Sequence, residues 1–295
     1  MRRLRSTEGV EVAVHELAPG GGRGRPLLFA HATGFCAGVW RPVAERLSAR
    51  FHSYGLDLRG HGASTLPGGR TDGIWRGFAD DVLAAVDGLG LEQPVGVGHS
   101  SGGAALLMAE AGRPGTFSAL WCYEPIVWPD PASARDRAAR MAAGAGRRRD
   151  RFGSRQEAYD NFAAKLAFAP DALRAYVGCG FITEADGSVR LSCPRDVEAA
   201  VYLRAVDDDR FARLGDVRCP VVVAVGGRTD AIGPDLAAKL VAALPDGRQR
   251  VFEDLSHSGP LEDPPAVAEA IQADLGGWCE SQSLAPDDRF GTDSP

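Results

Sequence analysis

The segment Pro94-Val-Gly-Val-Gly-His-Ser-Ser-Gly-Gly, continued by AALLMAEA over residues 104–111, decides the fold of this chain. A short apolar run ends at Gly98, and a run of helix-forming residues begins just after Ser100. A turn this sharp brings strand and helix so close that the residues two before and two after its centre must be small. Gly98 and Gly102 meet that requirement. The segment therefore predicts a strand, a tight turn carrying Ser100, and a helix.

A different glycine motif has to be weighed against this one. Gly96-Val97-Gly98 begins like the dinucleotide-binding pattern G-x-G-x-x-G, but the third glycine position is occupied by Ser101. The pattern G-x-S-x-G also arises by chance in a chain with 37 glycines among 295 residues. The partners of Ser100 elsewhere in the sequence must therefore decide between the two.

Apolar runs alternate with helical stretches along most of the chain. The apolar runs cover residues 10–17, 26–30, 54–58, 94–98, 119–123, 220–225 and 250–252, and the helical stretches cover 39–49, 78–89, 101–110, 236–244 and 266–275. Continuous apolar strands separated by helices are typical of a mostly parallel sheet that is covered on both faces. The predicted fold class is α/β, with Ser100 at the carboxyl end of a central strand, where ligands bind in such sheets.

The alternation stops in one long block, which predicts an inserted cap. Between residues 128 and 214, Arg- and Ala-rich helical stretches replace the sheet strands, and a block of this length exceeds an ordinary connection. We expect a core formed by residues 1–127 and 215–276, a helical cap over 128–214, and a polar, disordered tail over 277–295. Most of the aromatic residues in the cap are expected to form its own small core.

The general base for Ser100 can be chosen by elimination. When a serine on such a turn acts as a nucleophile, its partners follow in the chain order serine, acid, histidine. His257 is the one histidine downstream of Ser100, and it lies in a predicted loop after the last strand. A neutral imidazole there can accept the proton of the serine and return it to the leaving group. We therefore predict Ser100 and His257 as catalytic residues.

Two carboxylates compete for the role of orienting His257. Asp230 follows the strand at residues 220–225 and is favoured, because a carboxylate there can accept a hydrogen bond from the second ring nitrogen. Glu124 follows the strand ALWCY and stays open as the alternative, with the expectation that it lines or braces the pocket. Asp254 and Asp263 are interpreted as surface or turn residues.

The loop after the first buried strand should supply part of an oxyanion hole. It reads His31-Ala-Thr-Gly-Phe35. We expect the backbone N–H of Thr33 to join that of Ser101 in binding a developing oxyanion, an interaction worth roughly 3 to 4 kcal/mol per donor. The side chain of His31 is then structural.

Three motifs together resemble one known family. They are His31-Ala-Thr-Gly34-Phe35, Asp57-Leu-Arg-Gly-His-Gly-Ala-Ser64, and Gly98-His-Ser-Ser-Gly-Gly103. Over residues 7–276 the chain is similar to cap-bearing bacterial members of the α/β-hydrolase superfamily. This resemblance implies a serine hydrolase fold in which residues 57–64 brace the loops around the site. Ser rather than Asp at position 100 argues against the branches that need a carboxylate nucleophile.

The reaction expected from these residues is hydrolysis of a carboxylic ester, thioester or lactone through an acyl-enzyme on Ser100. The same residues leave open C–C bond hydrolysis, lyase chemistry or cofactor-free oxidation. A non-catalytic ligand receptor is the alternative from another class. Five side chains are expected to line the substrate pocket: Phe35, Glu124, Trp128, Phe168 and Tyr176.

Composition limits the partners. With a net charge of −6, the chain lacks the positive field that binds nucleic acid or anionic membranes, so a small-molecule substrate is expected. No metal-ligand cluster or phosphate loop stands out, so neither metal nor cofactor is predicted. No secretory signal or membrane-spanning run is recognisable, so we expect the protein to be cytoplasmic. In that reducing compartment the six cysteines are expected to be free thiols. The oligomeric state stays open.

Overall fold

A computed structural model describes residues 1–20 and 24–281 of the chain. Its main sheet has eight strands in the order β1-β2-β4-β3-β5-β6-β10-β11. The strands are β1 Arg2–Arg5, β2 Glu11–Ala18, β3 Arg25–Ala30, β4 Phe51–Asp57, β5 Val95–His99, β6 Ala119–Tyr123, β10 Val221–Gly226 and β11 Gly247–Phe252. β2 pairs antiparallel with β1 and β4. The other neighbouring pairs of this sheet, β4-β3, β3-β5, β5-β6, β6-β10 and β10-β11, are parallel.

Helices cover the sheet on both faces. They are α1 Arg41–Leu47, α2 Ile74–Leu89, α3 Ser101–Gly112, α4 Arg135–Arg147, α5 Arg155–Ala163, α6 Pro170–Cys179, α7 Arg195–Leu203, α8 Pro234–Ala243, α9 Gly259–Glu262 and α10 Pro264–Ser281. One hydrophobic cluster joins the sheet to α2, α3 and α8, and a second joins it to α1 and α10. The predicted α/β class with a mostly parallel sheet is confirmed.

The central strands show why continuous apolar runs form such a sheet. In β3, Leu28 and Ala30 belong to one cluster, and Leu27 and Phe29 belong to the other. Successive side chains of a strand point to opposite faces, so a strand covered on both sides has to be apolar at every position. Because β3, β5, β6 and β10 are parallel neighbours, their carboxyl ends lie side by side at one edge of the sheet.

The block inserted between β6 and β10 contains α4 to α7 and, in addition, a small three-stranded sheet. Its strands are β7 Arg151–Phe152, β8 Phe181–Thr183 and β9 Val189–Leu191, in the order β7-β9-β8. The expected helical cap therefore also contains a small sheet, which the sequence did not reveal because three very short strands carry too little periodicity. The rings of Phe152, Phe162 and Phe181 contact one another inside this block.

Two cysteines differ from the expectation of free thiols. Cys36 and Cys179 form a disulfide that joins the loop after β3 to the end of α6. The two meet because α6 packs on the 3-10 helix Ala37–Trp40 that follows Cys36. Cys122, Cys193 and Cys219 are free and buried.

The structure contradicts the first residues of the predicted disordered tail. Helix α10 continues to Ser281, so residues 277–281 are helical rather than part of a disordered tail. Residues 282–295 lie outside the described part of the chain. Among the described residues, no helix combines the length and the apolar character that crossing a bilayer requires.

Candidate active site

Ser100 occupies the sharp turn between β5 and α3. Its backbone has φ 56° and ψ −116°, a conformation that costs a residue with a side chain about 1 to 3 kcal/mol. The surrounding backbone fixes it, because Ser100 N donates to Tyr123 O at 2.9 Å and Ile126 N donates to Ser100 O at 3.2 Å. The strain is therefore held by the neighbouring end of β6.

Glycines on either side of Ser100 allow the close approach. A Cβ atom added to Gly98 would lie 2.6 Å from Gly103 Cα, and one added to Gly102 would lie 2.3 Å from the carbonyl oxygen of Ala30. Both clashes would involve backbone, which cannot move aside without shifting the strand or the helix. The Gly102 position also shows that the start of α3 lies against the loop after β3.

We expect Gly102→Ala to lower the free energy of unfolding by about 2 kcal/mol, because the added methyl group forces the helix away from the strand. Gly112→Ala is the matched control, since it changes the last residue of the same helix, where a Cβ atom would meet nothing within 4 Å. Urea unfolding of both variants measures the difference. Equal stability of the two variants would show that the close approach is not required.

His257 lies between β11 and α9, and residues of β5 and β6 position its loop. His99 Nε2 donates to the carbonyl oxygen of His257 at 2.8 Å, and the Tyr123 hydroxyl donates to the carbonyl oxygen of Ser256 at 2.7 Å. The rings of His99 and His257 are 4.9 Å apart. The strand that ends in Ser100 therefore also holds the loop that carries His257.

Glu124 is the carboxylate that contacts His257. The Nδ1–H of His257 donates to Oε2 of Glu124 at 2.6 Å. Glu124 directly follows β6, has a φ of 44° and has no exposed surface. This hydrogen bond places the ring proton on Nδ1 and leaves Nε2 as the acceptor.

Three further donors hold the buried carboxylate of Glu124. Gly226 N donates to Oε1 at 3.0 Å, while the Thr229 hydroxyl and Ile232 N donate to Oε2 at 2.7 and 3.3 Å. All three come from the end of β10 and the turn after it. A buried carboxylate is costly unless it is hydrogen-bonded, and these bonds also fix its orientation toward the imidazole.

The prediction that Asp230 contacts His257 is wrong. The side chain of Asp230 is 87% exposed and pairs with Arg137 of α4, Nη2 to Oδ1 at 3.3 Å. The turn after β10 directs Thr229 and Ile232 inward to Glu124, which leaves the intervening Asp230 directed outward. Both acids follow strands that end at the same sheet edge, so the order of strands alone could not separate them.

Within the described residues, no hydrogen bond joins Ser100 Oγ to the ring of His257. Both side chains line the same cavity. Nucleophile and base often lie farther apart in unliganded sites and come together when substrate binds.

The two residues expected to supply the oxyanion hole are Ser101, which directly follows Ser100, and Thr33, which lines the same cavity. Ser101 is the first residue of α3, where an N–H has no acceptor within the helix. Thr33 is buried and lines the same cavity as Ser100. The contact between Gly102 and the carbonyls of Ala30 and His31 brings the two segments together.

His31 is held in the interior by its own hydrogen bonds, as expected for a structural residue. Its Nδ1–H donates to Ala32 O at 2.8 Å, and its Nε2 accepts from Leu58 N at 3.1 Å. Asp57 braces the same region by accepting from Ala37 N at 2.7 Å and from Ala63 N at 2.9 Å. Residues 57–64 therefore support the loops without reaching the cavity.

Three buried histidines have lowered pKa values. Burial lowers the pKa of His31, lowers the pKa of His61 to about 3 and lowers the pKa of His99 well below its ordinary value. For His61 and His99 a neighbouring histidine adds a smaller effect in the same direction. The imidazoles of His61 and His99 bind protons in the unfolded chain near pH 6.5 but not in the folded protein.

This difference predicts that the free energy of unfolding falls as pH falls below 6.5. For each histidine held neutral in the folded protein, the free energy of unfolding falls by about 1 kcal/mol per pH unit, because protons then bind preferentially to the unfolded chain. With His61 and His99 contributing, we expect a loss of about 2 kcal/mol between pH 6.5 and 5.5, measured by urea unfolding. His61→Gln should make the dependence shallower by about one proton, and an unchanged slope in that variant would contradict this account.

A cavity of about 670 Å³, counting the part that opens to solvent, lies beside Ser100 and His257. Of the five side chains expected to line it, Phe35 and Trp128 do so. The remaining lining residues are Ala32, Thr33, Trp75, His99, Ile126, Ala134, Arg137, Ala138, Met141, Tyr202, Ala205, Ala231 and Ser258. The cap therefore supplies much of the wall.

The other three expected pocket residues lie elsewhere. Glu124 is buried behind His257, and Phe168 contacts Phe35 with ring centroids 6.0 Å apart. Tyr176 is buried with its hydroxyl accepting from Arg148 at 3.1 Å, and Arg148 also donates to Glu198 at 2.6 Å. Phe168 and Tyr176 therefore belong to the junction of the cap and the loop after β3 rather than to the cavity surface.

Sequence reasoning missed the contribution of α4. Arg137, Ala138 and Met141 of α4 line the cavity together with Ala134, which directly precedes the helix, and the four follow one another at helical spacing. This helical spacing could have indicated the face that lines the cavity. It did not stand out in the sequence, because Arg and Ala occur on every face of the helix.

Comparisons with known proteins agree with this architecture. A family model described as "Alpha/beta hydrolase family" matches residues 27–270. The chain is 29% identical to N-formylmaleamate deformylase from Pseudomonas putida, over 82% of this chain and 85% of that protein. It is 30% identical to pimeloyl-[acyl-carrier protein] methyl ester esterase from Chromobacterium violaceum, over 80% of this chain and 89% of that protein. These relatives are hydrolases.

Solved structures share the fold. The crystal structure of E-2-(acetamidomethylene)succinate hydrolase superposes with a TM-score of 0.78 at 24% identity, covering 93% of this chain and 98% of that one. At this identity the similarity shows the fold alone.

Proposed function

Because the chain belongs to the alpha/beta hydrolase family, we propose that it is a serine hydrolase that transfers an acyl group from a small substrate to Ser100 and then to water. One observation carries the proposal. At the cavity lined by Ser100, the imidazole of His257 is hydrogen-bonded through Nδ1 to the buried carboxylate of Glu124, which leaves its Nε2 as the acceptor. The proposed triad is therefore Ser100, His257 and Glu124.

The proposed reaction has two halves. Ser100 Oγ attacks the acyl carbon while His257 Nε2 takes the hydroxyl proton, and the carbonyl oxygen becomes an oxyanion facing Thr33 N–H and Ser101 N–H. Collapse of this intermediate breaks the bond to the leaving group, which takes the proton from His257. Water then attacks the acyl-enzyme with the same proton transfers and releases the acid.

Glu124 contributes through His257 rather than through the substrate. Its carboxylate fixes the ring orientation and stabilises the imidazolium that forms while Ser100 attacks. The hydrogen bonds from Gly226, Thr229 and Ile232 keep this carboxylate in place throughout. Catalysis is thereby linked to the turn after β10.

The bond cleaved is proposed to be a carboxylic ester, with an amide-type C–N bond as the second candidate. The relatives favour both, since one is named a methyl ester esterase and another a deformylase. An acyl-enzyme on Ser100 serves either substrate, because only the leaving group differs. The mostly apolar cavity wall favours an acyl group with some apolar surface.

The test is a matched panel of p-nitrophenyl acetate, p-nitrophenyl butyrate, p-nitroacetanilide and p-nitroformanilide. We expect burst kinetics and turnover of the esters, with anilide turnover added if the C–N candidate is correct. Labelling of Ser100 by a fluorophosphonate without turnover of any of the four would redirect the proposal to C–C bond or lyase chemistry. Neither turnover nor labelling would favour a ligand receptor.

A further inference from the structure

Arg137 differs from every other residue around the cavity. The wall is formed largely by apolar side chains, including Trp75, Ile126, Trp128 and Met141. Among the lining residues that the structure describes, Arg137 is the one side chain with a permanent charge, and none of them is a carboxylate. A cavity of this kind has a positive potential inside low-polarity walls, which favours an anion.

The side-chain partner of Arg137, the Asp230 carboxylate, is easily displaced, although Arg137 Nη1 also donates to the backbone carbonyl oxygen of Asp230. The side chain of Arg137 is 22% exposed, whereas that of Asp230 is 87% exposed, with Nη2 and Oδ1 separated by 3.3 Å. Ion pairs with an exposed partner contribute little, because water solvates the free carboxylate almost as well. The Asp230 carboxylate can therefore turn into solvent when another carboxylate reaches the guanidinium from inside the cavity, while Nη1 stays hydrogen-bonded to the Asp230 carbonyl oxygen.

Glu124 cannot serve as the internal partner of Arg137. Both of its oxygens already accept hydrogen bonds, from Gly226 on one side and from His257, Thr229 and Ile232 on the other. The guanidinium also offers more donors than Asp230 uses, since an arginine presents five N–H groups in a planar fork that matches a carboxylate.

We propose that Arg137 binds a carboxylate of the substrate, so that the preferred substrates are small acyl compounds carrying a free carboxylate in addition to the bond that is cleaved. This inference rests on the proposed function, because it assigns the substrate class of the same site. The carboxylate replaces Asp230 on the guanidinium, and the apolar body of the substrate lies along the wall that leads to Ser100. A charge-assisted pair in this setting changes affinity by about 10- to 100-fold.

The kinetic test compares two esters of equal length, mono-p-nitrophenyl glutarate and p-nitrophenyl valerate, which differ by one carboxylate. The readout is the ratio of their kcat/KM values, so that general losses of activity cancel. We expect Arg137→Gln to lower the ratio by at least 10-fold and Arg137→Lys to restore part of it. Arg140→Gln, which removes an equal charge from an exposed position one turn away on α4, should leave the ratio unchanged.

The binding test does not depend on turnover. In Ser100→Ala protein, calorimetry measures the dissociation constant of monomethyl glutarate with Arg137 intact, with Arg137→Gln and with Arg140→Gln. We expect at least 10-fold weaker binding with Arg137→Gln alone. Equal binding in all three proteins, or no binding in any, would overturn the inference.

The two experiments separate the failure of each proposal. Binding that depends on Arg137 without turnover of either ester would overturn the proposed hydrolysis and leave the carboxylate site standing. Turnover of both esters with the same ratio in Arg137→Gln and in Arg140→Gln would overturn the carboxylate site and leave the hydrolase standing.

Discussion

Ser100→Ala is expected to lower kcat/KM for p-nitrophenyl butyrate by on the order of 10⁴-fold or more. The loss is this large because the proposed acyl-enzyme forms on the Ser100 hydroxyl, which the substitution removes. Any residual rate would come from substrate binding and the oxyanion donors, which the substitution leaves in place. The measurement is steady-state hydrolysis of highly purified protein.

Ser53→Ala is the matched control for this prediction. Ser53 is a fully buried serine of β4, paired with Leu27 near the start of β3, and its hydroxyl has no hydrogen-bond partner among the residues that the structure describes. We expect wild-type kinetics from it. A Ser100→Ala protein that unfolds like the wild type and retains its rate would remove Ser100 from the reaction.

Glu124→Gln is expected to lower kcat for the same ester by about 10³- to 10⁴-fold with little change in KM. The amide can still occupy the site, but it can present an N–H to Nδ1 and so favour the tautomer in which Nε2 carries the proton. It also removes the charge that stabilises the imidazolium. The effect therefore falls on the chemical step rather than on binding.

The contrasting substitution is Asp230→Asn, which changes the acid that sequence position alone would favour. Its carboxylate is exposed and does not contact His257, so kcat for a neutral ester should change by less than about 3-fold. Urea unfolding should show that both variants fold. A large loss in Asp230→Asn together with a mild one in Glu124→Gln would restore Asp230 as the orienting acid.

Much of the fold could be predicted because its determinants are local. The buried strands are continuous apolar runs, and the glycines around Ser100 are required because an added Cβ atom would lie less than 3 Å from neighbouring backbone atoms. The position of His257 was accessible by elimination, since it is the one histidine downstream of Ser100. Each of these inferences depends on residue type and order alone.

The identity of the orienting acid depended on features that order does not encode. Glu124 reaches His257 because its φ is 44° and because the turn after β10 sends donors inward to it. Sequence patterns do not specify either conformation. The register between β5 and β6 still favours Glu124, since His99 pairs with Tyr123 and this places Glu124 next to Ser100 at the sheet edge.

The cap was the least predictable part of the site. Which aromatic residues face the cavity depends on how the inserted helices are rotated against the core, and the sequence pattern does not set that rotation. Phe35 and Trp128 line the cavity, whereas Phe168 and Tyr176 pack away from it. The disulfide between Cys36 and Cys179 was likewise hidden, because its cysteines are 143 residues apart in the chain.

The most direct measurement is the mass of the native protein after treatment with a fluorophosphonate, followed by peptide mapping. The proposed mechanism predicts one adduct per chain, located on Ser100, formed rapidly in wild type, slowly in Glu124→Gln and not at all in Ser100→Ala. An unmodified Ser100 in folded protein that still hydrolyses esters would contradict it.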